Sequence, residues 1–351
     1  MNIRSVLWRG LKLAAALSVT GLVLGVVYQQ FGLARDAERF PMPGTLYSLP
    51  DRELHLHCEG EGAPVVLFES GAAGFSGLFD PVFAAISQTT RACFYDRSGM
   101  GWSPYVEGAL STDAVAENLH MLLEAAGITE DRIVVGHSMG GVYLRRFVDL
   151  HPEGVKGAVF VDSAHEQMGL HMARTEAEHG FEPYVNFEPL IRLTRLLNPL
   201  ARLGAIRLAI RMVEQPNESA QRIAAMYAQS HTPKAISIEI DMWYRGIFEK
   251  TGPVSMGDLP ITVLMRGVYE DSPTQAQNDA WRDFWRVLQQ DIADLSSRSE
   301  LIVAQESDHL TILTTQADLV IDAISRHVSA ARQPPIAGPS PAAGTDAPPA
   351  P

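Results

Sequence analysis

Cysteine is almost missing from this chain: Cys58 and Cys93 are the only two in 351 residues. So low a count excludes a disulfide framework of the small-domain kind and a zinc cluster built on thiolates. Positive charge is also scarce, with 28 Lys and Arg against 41 Asp and Glu and a formal net charge of -13. A surface this acidic does not neutralise phosphate along a groove, which argues against nucleic acid as a partner. It says little about a small neutral substrate. No internal repeat is present. The length is enough for one large α/β domain or two domains, with a substantial core in either case.

One apolar stretch stands apart at the N-terminus. Arg4, Arg9 and Lys12 precede an uncharged run over 13–28, which Leu11 and Phe31 extend. The run approaches the roughly 20 residues of a spanning helix and exceeds the roughly 7–15 of a signal-peptide core. Gly32 and Ala34 form a small-x-small pair, so both a cleaved signal and an uncleaved anchor remain open, the anchor being favoured. Basic residues before the run, and the mixed flank Arg35, Asp36, Glu38 and Arg39 after it, place the N-terminus in the cytoplasm. Residues 1–34 are thus expected to act as a membrane anchor or signal segment, with the globular part on the extracytoplasmic side.

After Pro41, Pro43 and Gly44, residues 45–49 and 53–58 read as strands. His55 and His57 share one face of the second. A histidine pair at this spacing could start a metal site, but no further ligands lie nearby, and a polar strand face is the preferred reading. Residues 64–69 form an apolar strand that runs into Ser70-Gly71-Ala72-Ala73-Gly74. No Lys-Ser/Thr pair follows, which disfavours a phosphate loop. Residues 77–87 are expected to be helical, 91–95 a strand, 96–103 a tight polar loop and 111–127 an amphipathic helix.

The most informative stretch is Gly136-His137-Ser138-Met139-Gly140. Ile133, Val134 and Val135 make a short buried strand before it, and 142–150 are helix-compatible after it. A strand that turns at once into a helix strains the residue at the turn, and Gly136 and Gly140 have no side chains to obstruct the crossing backbone. The turn lifts the Ser138 hydroxyl above the helix N-terminus. There the Met139 N–H can face an anion formed when Ser138 attacks a carbonyl, and the Ala72 N–H is the expected second donor of an oxyanion hole.

Gly71 after a strand, the loop Asp96-Arg97-Ser98-Gly99-Met100-Gly101-Trp102-Ser103, and Gly136-His137-Ser138-Met139-Gly140-Gly141 follow one another in a recognisable order. Over roughly 54–328 the chain resembles the α/β-hydrolase family, in particular its lipase, esterase and peptidase branch. The resemblance implies an α/β fold: a mostly parallel eight-stranded sheet with helices on both faces and a helical cap inserted after the sixth strand. That sixth strand is read over 156–161. The core is expected over 45–165 and 259–331. Between them, 166–258 lose strand character and carry helical spacing at 190–197 and 200–213 with interleaved arginines, as a cap or a membrane-touching surface would. The sheet resumes at 260–266 and 301–304, helices fall at 278–295 and 315–328, and 332–351 form a disordered Pro/Ala-rich tail.

A serine nucleophile needs a base, and the base an orienting carboxylate. His309 lies after the last strand, where the family carries its histidine. His137 is expected to face sideways within the elbow, and His165 follows the sixth strand. For the acid, the family uses the end of the seventh strand or, less often, the sixth. Asp162 stands at a clean strand tip and is preferred, with Asp271 and Glu270 as alternatives. The implied activity is cleavage of a carboxylic ester or related acyl bond in a small-molecule substrate, without cofactor or metal. A non-catalytic, membrane-anchored binding scaffold of the same fold is the alternative. The sheet order implied by the resemblance makes the strands of Cys58 and Cys93 neighbours, so these two can either pair or remain two small buried apolar side chains.

Overall fold

The computed structural model describes residues 3–179, 188–246, 255–270 and 274–333. Its centre is an eight-stranded sheet of β1 (Thr45–Ser48), β2 (Glu53–Glu59), β3 (Val65–Glu69), β4 (Ala92–Asp96), β5 (Arg132–His137), β6 (Val155–Val161), β7 (Ile261–Arg266) and β8 (Ser299–Ala304). The strand order is β1-β2-β4-β3-β5-β6-β7-β8. Only β2 runs against its neighbours; every other pairing is parallel. The middle strands are buried on both faces, which is why β3, β4 and β5 read as continuous apolar runs rather than alternating ones.

Eleven helices are described: α1 (Ile3–Arg39), α2 (Asp80–Ile86), α3 (Thr112–Ala125), α4 (Met139–Leu150), α5 (Met168–His179), α6 (Glu188–Ala201), α7 (Ala205–Arg211), α8 (Glu218–Tyr227), α9 (Thr232–Gly246), α10 (Gln275–Ala293) and α11 (Ala317–Ala331). One core layer packs Leu119 and Leu122 of α3, Leu144 and Phe147 of α4 and Ile292 of α10 on one face of the sheet. The other packs Val82, Phe83 and Ile86 of α2 with Val320, Ala323 and Ile324 of α11 on the opposite face. The sheet, the helices on both of its faces and the helical insertion between β6 and β7 agree with the sequence reading.

Boundaries differ in instructive places. The helix expected at 77–87 starts as a single 3₁₀ turn, Ser76–Phe79, before α2. The one expected at 278–295 begins earlier, because Thr274 caps α10 by accepting from the Gln277 N–H at 3.3 Å. The helix read at 190–197 continues through Pro199 to Ala201. The break falls instead at Gly204, whose φ of 76° only glycine adopts freely and where a Cβ would lie 2.6 Å from the Tyr28 ring.

Cys58 and Cys93 sit directly opposite each other in the β2–β4 register, with Cα atoms 4.1 Å apart, and form a disulfide. His55 corrects the idea of a polar strand face: it is fully buried, with Nδ1 2.8 Å from Asp96 Oδ2 and Nε2 on the Pro43 carbonyl.

α1 is long and apolar enough to cross a membrane, with a window of mean hydropathy 1.9 that is nowhere buried. It runs unbroken past residue 34 to Arg39. Its second half is docked. Gly25, Tyr28, Gln29, Gly32, Leu33 and Asp36, at helical spacing, are the covered positions. A Cβ on Gly25 would stand 2.9 Å from the Leu203 carbonyl, and one on Gly32 would stand 2.4 Å from Arg207 Nε. Gln29 is fully buried; its amide donates to the Ala228 carbonyl at 2.8 Å and accepts from Arg207 Nε at 3.0 Å. Arg207 also pairs with Asp36. The tail from residue 334, like 180–187 and 247–254 of the inserted segment, lies outside the described residues.

Candidate active site

Ser138 ends β5 and starts α4 with φ 54° and ψ −124°, a conformation side chains ordinarily avoid. The crossing is tight. A Cβ on Gly136 would meet Gly141 Cα at 2.8 Å, and one on Gly140 would meet the Glu69 carbonyl at 2.3 Å. The Ser138 N–H donates to the Val161 carbonyl at 3.0 Å and its carbonyl accepts from Ala164 N at 2.9 Å, so β6 and its exit loop hold the strained residue in place.

Three sequence-selected side chains meet here. His309 Nε2 lies 3.0 Å from Ser138 Oγ, and His309 Nδ1 lies 2.5 Å from Asp162 Oδ2. The tautomer satisfying both contacts carries its proton on Nδ1, donating to Asp162, and accepts from the serine hydroxyl. Asp162, at φ 43° beyond β6, is completely buried. Its Oδ1 accepts from Trp285 Nε1 at 2.6 Å and from the Arg266 N–H at 3.0 Å. Burial pushes its pKa up, but the hydrogen bond and charge of His309, with the charge and N–H of Arg266, outweigh this and hold it below the ordinary value. The loop after Asp162 is braced by Arg145, which donates to Ser163 Oγ at 2.9 Å and the Ala164 carbonyl at 2.6 Å and pairs with Glu166. Of the alternative acids, Glu270 is exposed and Asp271 lies outside the described residues.

His137 has more to do than face sideways. Its Nε2–H donates to the His309 backbone carbonyl at 2.8 Å, and the two rings lie 4.8 Å apart. Burial, then the neighbouring His309, lowers its pKa to about 4, so it stays neutral and keeps this bond at pH 7.

Met139 is the first residue of α4, so its N–H is among those a helix leaves unbonded. Ala72 packs against the cluster that includes Met139, Val142 and Tyr143 of α4. The loop carrying Ala72 is gripped by side chains that sequence reasoning missed. Arg97 donates to the Ser70 carbonyl at 2.8 Å and the Gly71 carbonyl at 2.7 Å. It also pairs with Glu69 and, at 2.8 Å, with Glu239 of α9. Ala73, at φ 59°, donates its N–H to Glu239 Oε2 at 2.5 Å and accepts from Tyr227 Oη of α8 at 3.2 Å. Tyr143 Oη donates to Glu239 Oε1 at 3.1 Å. Burial raises the Glu69 carboxyl to about 7 against the pull of Arg97 and Tyr95. The one sequence signal was a carboxylate set between Ile238 and Ile240, with Ser237 and Asp241 also alternating with the isoleucines; its partners lie too far along the chain to be guessed.

A strained serine at a strand–helix turn, beside a histidine that follows the last strand, is the arrangement of one class of fold. A family model described as alpha/beta hydrolase fold matches residues 64–229. The AB hydrolase superfamily protein of Gibberella zeae is 24% identical over 302 residues, covering 77% of this chain and 87% of that protein. The probable transporter efuK of Hormonema carpetanum is 37% identical over 124 residues, covering 34% of this chain and 18% of that protein. A thermophilic esterase from Thermogutta terrifontis superposes with a TM-score of 0.53 at 18% identity, over 82% of this chain and 99% of that one. The chain spans 18%, 29% and 54% of the lengths of the first curated relatives it matches. It has the α/β-hydrolase fold.

Proposed function

We propose that the chain is a serine hydrolase that cleaves a carboxylic ester or related acyl bond of a small molecule. The observation that carries this reading is the unbroken hydrogen-bonded line from Ser138 through His309 to buried Asp162. His309 takes the serine proton as Oγ attacks the acyl carbon. The oxyanion formed faces the N–H groups of Met139 and Ala72. Its collapse breaks the bond to the leaving group, which departs with the proton held by His309. Water then attacks the acyl-enzyme, again giving its proton to His309, and collapse returns that proton to Ser138 and frees the acid. Asp162 stays ionised and steadies the imidazolium. The chemistry requires no cofactor or metal.

The helices α5–α9 serve in this reading as a cap, and Glu239 reaches from α9 to the loop that bears Ala72. Residues 1–34 serve as an uncleaved anchor, with the catalytic domain on the extracytoplasmic side. The disulfide supports that side, because such bonds persist in oxidising compartments. The docking of α1 supports retention: cleavage after Ala34 would strip Gln29 from Arg207, a residue only 7% exposed.

A fluorophosphonate probe tests the chemistry. The wild type labels and hydrolyses p-nitrophenyl esters; Ser138→Ala does neither while keeping its circular-dichroism spectrum. Retained turnover in that variant, or an unlabelled wild type, would leave only the binding-scaffold reading. A panel of esters of rising chain length then ranks the acyl group.

A further inference from the structure

The docked half of α1 fixes how deep the cap sits. No charge occurs between Lys12 and Arg35. A hydrocarbon layer of about 30 Å takes up about 20 helical residues, so a span that starts just past Lys12 ends near Phe31. Contacts with the cap begin earlier: Gly25 touches Leu203, and Tyr28 and Gln29 reach Gly204 and Arg207. The part of the cap that carries Leu203 and Arg207 is therefore level with the outer part of the bilayer. Its surface agrees. Leu196, Leu200, Leu208 and Val213 are exposed on or beside α6 and α7, and Met212 is 83% exposed, a cluster that water disfavours and lipid does not.

Above that apolar edge, α1, α7 and α8 line a groove of about 440 Å³. Arg35, Arg39, Arg207 and Arg211 line it, against Asp36 and Glu214 only, in a chain whose net charge is -13. Arg207 is held rigid by Gln29 and Asp36, and its Nη2 is buried with no hydrogen-bond partner. A buried donor of this kind calls for an acceptor. A guanidinium already oriented by two partners suits a phosphate oxygen. Phe31 and Ile210 supply an apolar wall to the same groove.

We propose that the α6–α7 edge of the cap is embedded in the outer leaflet and that the groove between α1 and α7 binds the phosphate headgroup of an anionic phospholipid. The inference rests on the reading of α1 as a retained anchor.

Full-length protein in nanodiscs tests both parts. On a Trp8→Phe background, which keeps Trp102, Trp243, Trp281 and Trp285, Met212→Trp adds a tryptophan at the exposed edge; dibrominated phosphatidylcholine should quench at least twofold the emission that this variant adds over the background. In native mass spectrometry from detergent, phosphatidylglycerol should be retained at least tenfold better than phosphatidylcholine. Arg35→Glu with Arg211→Glu should abolish that preference, and inorganic phosphate at millimolar concentration should not displace the lipid. An unquenched tryptophan, or equal retention of the two lipids, overturns the inference; so does displacement by phosphate, which would mark a free-anion site. If the chain resists carbonate extraction and these tests fail, the inference alone falls. If carbonate releases the chain, the anchor falls and the inference with it.

Discussion

The Ala73 N–H and the Glu239 carboxylate, 166 residues apart in sequence, are joined by a 2.5 Å hydrogen bond. Through it a helix of the inserted segment holds the loop that presents Ala72, and Arg97 grips the same loop from below through the Ser70 and Gly71 carbonyls. Oxyanion stabilisation is geometrically demanding, and a misplacement of about 1 Å can cost about a hundredfold in rate. Glu239→Ala is expected to lower kcat by about 10- to 100-fold with little change in KM, and to slow fluorophosphonate labelling in parallel. Glu239→Gln keeps an acceptor for Ala73 and should recover part of the loss. Stopped-assay kinetics on both variants checks this; a rise in KM at constant kcat would make Glu239 a substrate contact instead.

Asp162→Asn removes the charge that faces His309 and the acceptor that fixes its tautomer. Turnover should fall by about 10⁴-fold, while Glu270→Gln, at an exposed position, should stay near the wild type. Asp271→Asn should be equally mild. A reversed ranking would move the acid to the end of β7.

Three histidines give the fold a dependence on pH. His137, His165 and His327 are each lowered from 6.5 to about 4, burial being the chief cause. Below about 6.5 the unfolded chain takes up protons that the native rings refuse until about 4, so stability is complete above that window and declines as pH falls through it. Glu69 acts the other way. Raised to about 7 from 4.5, it favours the native state at low pH and loses that contribution as pH rises toward 7. Three groups outweigh one, so the urea midpoint should fall between pH 6.5 and 4.5. A midpoint that held or rose would mean the rings are protonated in the native state.

The disulfide closes a loop of sequence separation 35 that contains β3 and the Ser70–Gly74 turn. Cys58→Ala with Cys93→Ala should therefore lower unfolding free energy by about 3–4 kcal/mol, chiefly by loosening the unfolded chain. Urea titration of the oxidised wild type and the double variant measures it, and mass spectrometry of a non-reduced digest of natively expressed protein reports whether the bond is present.

What the sequence revealed was local or ordered along the chain. The elbow was legible because Gly136 and Gly140 answer a steric demand within a few residues, and β3 to β5 because central strands are apolar throughout. His309 and Asp162 were candidates through the strand order that the resemblance to α/β-hydrolases implies. Glu239, Arg97 and Gln29 could not. Each is a polar residue whose burial depends on a partner from a distant element, and sequence spacing carries no trace of such pairings. Gln29 lies just past the run over 13–28 and is a wedge between α1 and the cap. His137 was visible, but its bond to the His309 carbonyl depends on a loop 172 residues away.

The helix described from Ile3 docks on the cap before it ends at Arg39, and Pro41 to Gly44 come only after it. Between Gly25 and Asp36 there is no joint about which the domain could swivel. A helix that crossed the bilayer in this way would be a mast rather than a leash: the mouth of the site would stand at one height and one bearing. Reach would then come from lateral diffusion of the whole molecule, and lengthening α1 by whole turns below Gly25 would raise the site in steps of about 5.4 Å.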